Sequence, residues 1–197
     1  GDWSSDVCSS DLAADFEAAL GERARAMRVG DPMAEDVQMG ALISEPHLLK
    51  VLDYVSGGVA EGATLAAGGT RIHPQGFETG YFMEPTILTG CRDEMRHVRE
   101  EIFGPVMSVL TFEDEGEAIA RANATSFGLG AGLMTRDLAR AHRVASHLES
   151  GNVWVNTYNI LPPGLPFGGV KQSGFGRENS AYSLEAYSEI KTTYIQL

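Results

Sequence analysis

The chain has 197 residues, and 27 acidic side chains outweigh 15 basic ones, giving a formal charge of −12 and an isoelectric point near 4.8. That balance argues against a nucleic-acid partner, which calls for a basic face toward phosphate, and against docking on an anionic membrane. A hydrophobic content of 43% suffices for a packed core, while no apolar run approaches the ~20 residues of a membrane helix. The start lacks the apolar stretch of a secretory signal. About one domain, or two small ones, is expected at this length. Two cysteines, Cys8 and Cys91, make neither a disulfide framework nor a metal cluster. The expected setting is soluble, reducing and cytoplasmic.

Residues 1–12 read GDWSSDVCSSDL, with Ser-Ser-Asp-apolar occurring twice. Neither a helical nor a strand period fits them. The string resembles translated sequencing-adapter read-through, with a natural frayed N-terminus as the alternative. On the first reading Cys8 carries no chemistry and the natural chain begins further upstream. Residues 13–29 predict an amphipathic helix with Phe16, Ala19, Leu20, Ala24 and Met27 on one side, stopped by Gly30-Asp31-Pro32. Pro46 opens a second helix over 46–61, whose Leu48, Leu52, Val55 and Val59 recur at helical spacing. Strands are expected over 63–67 and 81–88, the latter at an edge or an irregularity because of Pro85. The second half alternates: strand 106–112, helix 115–124 capped by Asp114, strand 129–134, helix 137–150, strand 153–155. That order predicts an α/β fold with right-handed crossovers and a parallel sheet. A long Gly/Pro loop fills about 157–182, followed by a short helix at 183–190. The final Thr192–Leu197 has strong strand propensity and no neighbour in sequence, so it pairs within the chain or with another subunit.

Two constellations carry chemistry. Arg99-Glu100-Glu101-Ile102-Phe103-Gly104-Pro105 precedes the 106–112 strand, and ligands of open sheets gather near strand ends. A carboxylate there can accept both hydroxyls of a ribose, and an aromatic can pack on a sugar or ring; a solvated acidic turn is the alternative. Gly151-Asn152-Val153-Trp154-Val155-Asn156 is followed by Leu165-Pro166-Phe167-Gly168-Gly169-Val170-Lys171-Gln172-Ser173-Gly174-Phe175-Gly176-Arg177-Glu178. Glycines at 168, 169, 174 and 176 permit positive φ and close backbone approach. Such a loop either serves a ligand, with carbonyls for a hard cation and Phe167 as a pocket wall, or is a tight packing loop.

Together, EEIFGPV, GNVWVN and LPFGGVKQSGFGRE, in that order and spacing, resemble the C-terminal part of the NAD(P)-dependent aldehyde dehydrogenase superfamily, over nearly all of 13–197. Gly90-Cys91-Arg92-Asp93-Glu94-Met95, Val155–Asn159 and Gly174–Asn179 lean toward its betaine-aldehyde and trimethylaminobutyraldehyde branch. The resemblance implies that Glu101 binds the nicotinamide-side ribose and that Phe103 lies against the nicotinamide. It implies that the backbone carbonyls of Lys171 and Gly174 supply oxygens to a monovalent cation such as potassium, and that Glu178 belongs to a buried charge relay. Phe167 would line the aldehyde tunnel, where an aromatic face offers a quaternary ammonium a cation–π contact of ~0.5–2 kcal/mol; an ordinary hydrophobic wall is the alternative.

The departures matter equally. The family's chemistry needs a thiolate that attacks the aldehyde, NAD or NADP as hydride acceptor, and a glutamate that activates water. The Cys that follows Gly-Gln, the general-base glutamate and the dinucleotide-binding domain have no counterpart here. Cys91 has no base motif beside it in the sequence, and Cys8 lies in the unusual tail. The expectation is therefore an incomplete aldehyde dehydrogenase catalytic domain over 13–190 with an oligomerisation strand over 191–197. It would be inactive alone, belonging to a homo-oligomeric enzyme that oxidises an aldehyde to an acid. The alternatives are a non-catalytic interaction module and a half-enzyme completed by a separate chain.

Overall fold

The computed structural model describes residues 5–9 and 12–197. Two compact units divide the chain between Arg121 and Ala122. The first is built on a four-stranded sheet of β1 (Ser5–Ser9), β2 (Thr64–Ala67), β5 (Thr86–Thr89) and β6 (Val106–Phe112), in the order β1-β6-β5-β2. β3 (Arg71–Ile72) and β4 (Phe82–Met83) form a separate two-residue ladder. β1–β6 and β5–β6 pair in parallel, whereas β2 runs antiparallel to β5. The sheet is thus mixed, not purely parallel as the alternation of elements implied. The reason is local: the return from β2 to β5 goes through the β3–β4 ladder, not through a crossover helix.

Strand alternation divides the core between two faces. Leu88, Val106 and Leu110 meet α2 (Glu45–Ala60) through Leu48, Val51, Tyr54 and Val55. Ile87 and Val109 meet α1 (Ala13–Ala26) through Ala24, with Leu20 and Met107 packed alongside. α2 begins where the Ser44 hydroxyl accepts from the His47 amide at 3.3 Å, with Pro46 in the first turn. Its buried stripe is Leu48, Val51, Tyr54, Val55 and Gly58, with Val59 45% exposed. The helix is therefore rotated from the orientation that Leu52 and Val59 suggested, because Gly58 lets it close on His97 and Leu88. Truncating fully buried Leu48 should cost about 2–5 kcal/mol.

Residues 5–9 form a strand although their pattern fits no strand period. Parallel pairing is made by the main chain, and the edge of β6 offers it a row of donors and acceptors. The rest of the expected tail, residues 1–4 and 10–11, lies outside the described residues, as do the side chains of residues 5–9, Cys8 included.

α3 (Arg96–Arg99) precedes β6, and α4 (Glu115–Asn123) follows it. The second unit carries β7 (Gly130–Leu133), α5 (Leu138–His147) and β8 (Asn152–Val155), then α6 (Ser183–Ala186). β7 and β8 pair in parallel, Gly130 opposite Asn152 through Leu133 opposite Val155. α5 is capped by Asp137, whose carboxylate accepts from the Arg140 amide at 3.1 Å. The loop between β8 and α6 closes on the turn before β8: a Cβ at Gly151 would stand 1.8 Å from the Gly168 carbonyl oxygen, so only glycine fits there. Residues 191–197 carry no strand, and Tyr194 and Leu197 are exposed. The strand expected at 192–197 finds no ladder partner within the described chain, and propensity without a partner leaves it unpaired.

Candidate functional site

In the first unit the segment 96–104 runs antiparallel along α2 with roughly one contact per turn. The Glu61 carboxylate accepts from the Arg96 amide at 3.0 Å, capping α3. His97 packs against Gly58. The Tyr54 hydroxyl donates to Glu100 at 2.7 Å, and Arg96 donates to Glu100 and to Asp53, each at 3.0 Å, while stacking over the Tyr54 ring at 4.2 Å. Lys50 Nζ donates to the Glu101 carbonyl at 3.5 Å, and His47 Nε2 to the Phe103 carbonyl at 2.7 Å. A Cβ at Gly104 would stand 2.7 Å from Val51 Cγ2, so the segment closes against the helix only with glycine there.

The result is a presented tip. Phe103 adopts φ 58°, a region that bulky residues rarely occupy, and its ring is 72% exposed. Ile102 beside it is 1% exposed and anchors the tip in the core. Glu101 is half-buried. The two adjacent carboxylates of the motif have different surroundings: the Tyr54 hydroxyl, and then Arg96, hold the Glu100 carboxyl below the usual carboxylate range, and the same bond to Glu100 raises the Tyr54 phenol. A carboxylate and an aromatic face side by side at a sheet's rim suit a sugar hydroxyl pair and a flat ring.

The second unit gathers the other predicted residues. Phe167 and Glu178 are joined by an antiparallel bridge: the Phe167 amide donates to the Glu178 carbonyl at 3.0 Å and the reverse bond is 2.8 Å. Phe167 is half-buried, but Glu178 is exposed, so this chain by itself does not supply the burial a charge relay implies. Lys171 opens the 3-10 turn Lys171–Ser173 at φ 53°, and Gly174 closes it at φ 121°. The Lys171 ammonium donates to the Asn123 and Thr125 carbonyls at 2.8 and 3.2 Å and pairs with Glu149 at 2.7 Å. An open cleft of about 490 Å³ lies at the C-terminal ends of β7 and β8, bounded by Thr135, Arg136, Asp137 and Asn156. It contains none of the predicted site residues.

Cys91 is buried 3.4 Å from His97 Nε2. A thiol beside an imidazole has the outline of a nucleophile and its base, but the electrostatics oppose it. Burial pushes the thiol up to about 11 and the His97 imidazole down, so the neutral forms are favoured. Cys91 and His97 are 8% and 1% exposed, which shuts both away from solvent.

His47, Tyr54 and Arg96 had no place in the sequence-based site. The signal was present as residues with polar ends at 47, 50 and 54, at the i, i+3, i+7 spacing of one helix face.

The family model described as "Aldehyde dehydrogenase family" matches residues 4–193. Betaine aldehyde dehydrogenase of Brucella anthropi is 55% identical over 182 residues, covering 92% of this chain and 37% of that protein. That of Mesorhizobium japonicum is 52% identical over 181 residues, again 37% of its length. An NAD+ complex of aldehyde dehydrogenase from Bacillus cereus superposes with a TM-score of 0.92 at 41% identity, over 98% of this chain and 39% of that one. Betaine aldehyde dehydrogenase from Staphylococcus aureus in complex with NAD+ superposes with a TM-score of 0.89 at 40% identity, over 93% of this chain and 37% of that one. The chain spans a little over a third of the length of these relatives, and its fold is correspondingly a part of theirs. No helix among the described residues is long and apolar enough to cross a membrane. By the extent of these matches, the chain belongs to the aldehyde dehydrogenase family.

Proposed function

We propose that this chain supplies the cofactor clamp and part of the substrate wall of an enzyme that oxidises an aldehyde, betaine aldehyde foremost, to its carboxylic acid. The observation that carries the reading is the Glu101–Phe103 tip on α2, within a chain 55% identical to a betaine aldehyde dehydrogenase. Glu101 accepts the hydroxyls of the nicotinamide-side ribose of NAD or NADP, and Phe103 flanks the nicotinamide. The cofactor, when bound, accepts the hydride. Phe167 walls the aldehyde channel, and Glu178 belongs to a proton path completed by residues beyond this chain. The Lys171–Gly174 turn fits a potassium ion: the ammonium is already neutralised by Glu149, so a cation at the turn's carbonyls meets little repulsion.

The chain alone lacks turnover, because Cys91 is buried and its thiol is pushed up to about 11. The test has two arms. The purified chain should form no NADH from NAD+ and betaine aldehyde. In the longer enzyme that contains this sequence, Glu101→Gln should raise KM for NAD+ about tenfold, the scale of one hydrogen bond to a charged group. Turnover by the isolated chain would overturn the inactivity, and an unchanged KM would overturn the clamp.

A further inference from the structure

We propose that Tyr54 and Arg96 are positioning residues for the Glu101–Phe103 tip, acting through Glu100 to set cofactor affinity. The proposal rests on the clamp reading above and adds to it the means by which the tip is held. Glu100 is the residue immediately before Glu101, and two donors grip its carboxylate: the Tyr54 hydroxyl at 2.7 Å and Arg96 Nε at 3.0 Å. These donors have fixed backing. Tyr54 is 5% exposed and locked in the core beside Val51 and Val55. Arg96 is held by Asp53 at 3.0 Å and by the Tyr54 ring at 4.2 Å. Beyond Glu100 the main chain meets α2 again, with Lys50 at the Glu101 carbonyl (3.5 Å) and His47 at the Phe103 carbonyl (2.7 Å), while Ile102 sits in the core. Phe103 itself occupies a strained φ of 58°, which surrounding contacts have to maintain. On its N-terminal side the tip is held at Glu100, one peptide from the carboxylate proposed to bind ribose. A displacement there passes directly to Glu101, and misplacement of a binding group by about 1 Å can cost orders of magnitude in rate.

Tyr54→Phe keeps the ring in the core and under Arg96 and removes only the hydroxyl. In the longer enzyme it should raise KM for NAD+ about fivefold while kcat changes less than twofold and Tm stays within about 2 °C. Glu100→Gln should give a similar rise, and the double variant should be no worse than Glu100→Gln alone, because both changes break one link. In the chain of 197 residues, the Glu100 amide, which donates to the Arg96 carbonyl at 3.0 Å, should exchange with solvent about tenfold faster in Tyr54→Phe, with α5 unchanged as internal control. Additive KM effects, or unchanged exchange at the Glu100 amide, would overturn the positioning role. An unchanged KM in Tyr54→Phe alongside a raised KM in Glu101→Gln would also overturn it and leave the clamp standing. An unchanged KM in Glu101→Gln would instead remove the clamp reading, and the exchange measurement would then decide alone whether Tyr54 holds the tip.

Discussion

At the scale of single residues, Cys91 and His97 show how burial decides chemistry. His97 occupies an apolar slot with Nε2 near the Cys91 sulfur, and its Nδ1 is without a hydrogen-bond partner. Burial lowers its pKa below the ordinary value near 6.5, against a weaker opposing pull from Glu61. Between those two values the unfolded chain takes up a proton that the folded chain refuses. The stability His97 allows is therefore complete above about pH 6.5 and is lost as the pH falls toward the folded value. His97→Leu should flatten that loss, seen as a smaller Tm difference between pH 7.5 and pH 5.5; an unchanged difference would place the acid sensitivity elsewhere. Cys91 should in turn resist alkylation. In a Cys8→Ser background, iodoacetamide at pH 8 should modify it about a hundredfold more slowly than a free cysteine, since its thiol is raised to about 11. Modification at the free-cysteine rate would reopen it as a reactive group. Glu101 and Phe103 were proposed from a short contiguous motif, which needs only near neighbours to be read. His47, Tyr54 and Arg96 were not, because their role depends on which face of a helix meets a loop some 50 positions later.

At the scale of elements, α2 is the scaffold of the proposed clamp. Its apolar side fills the core under β5 and β6, and its polar residues at 47, 50 and 54 hold the segment that follows α3. Close approach depends on Gly104, where a methyl group would press on Val51. Gly104→Ala should cost about 1–3 kcal/mol in urea unfolding, with part recovered by Val51→Ala. No loss in the single variant would mean that the segment is held less tightly than its spacing indicates. Most element positions were readable from hydrophobic period and caps, and β6 spans the expected 106–112 in full. The rotation of α2 was not readable, because Leu52 and Val59 satisfy a helical period as well as Val51 and Gly58 do. The direction of β2 was likewise undetermined, since a strand's sequence carries its facing but not its partner.

At the scale of the whole molecule, the two units differ in how much core they own. The first buries a continuous set of large side chains, Leu48, Met83, Leu88 and Met95 among them. In the second, Ala141 is the one buried hydrophobic side chain among the described residues, while Phe175, Tyr187 and Ile190 stand almost wholly exposed. Parallel strands such as β7 and β8 are ordinarily covered on both faces, and exposed apolar surface of this kind marks an interaction face. Residues 192–197, exposed and in no strand, lie in the same unit. Their removal should leave Tm within about 2 °C, since they make no ladder within the chain, and should lower the assembled mass in light scattering if they pair between copies. An unchanged mass would reject pairing between copies.

What the amino-acid order determined by itself was the family, most of the main helices and strands, and the two strings proposed to form a clamp and a channel wall. Those are local properties: period, caps and short motifs need only near neighbours. What the tertiary structure decided was which members of those strings are held and by what. Glu100 is gripped by Tyr54 and Arg96, Glu178 is left exposed, Cys91 is sealed beside His97, and the last strand-forming residues are without a partner. Each of those outcomes turns on burial and on contacts between residues distant in the chain, and both exist only once the elements have packed.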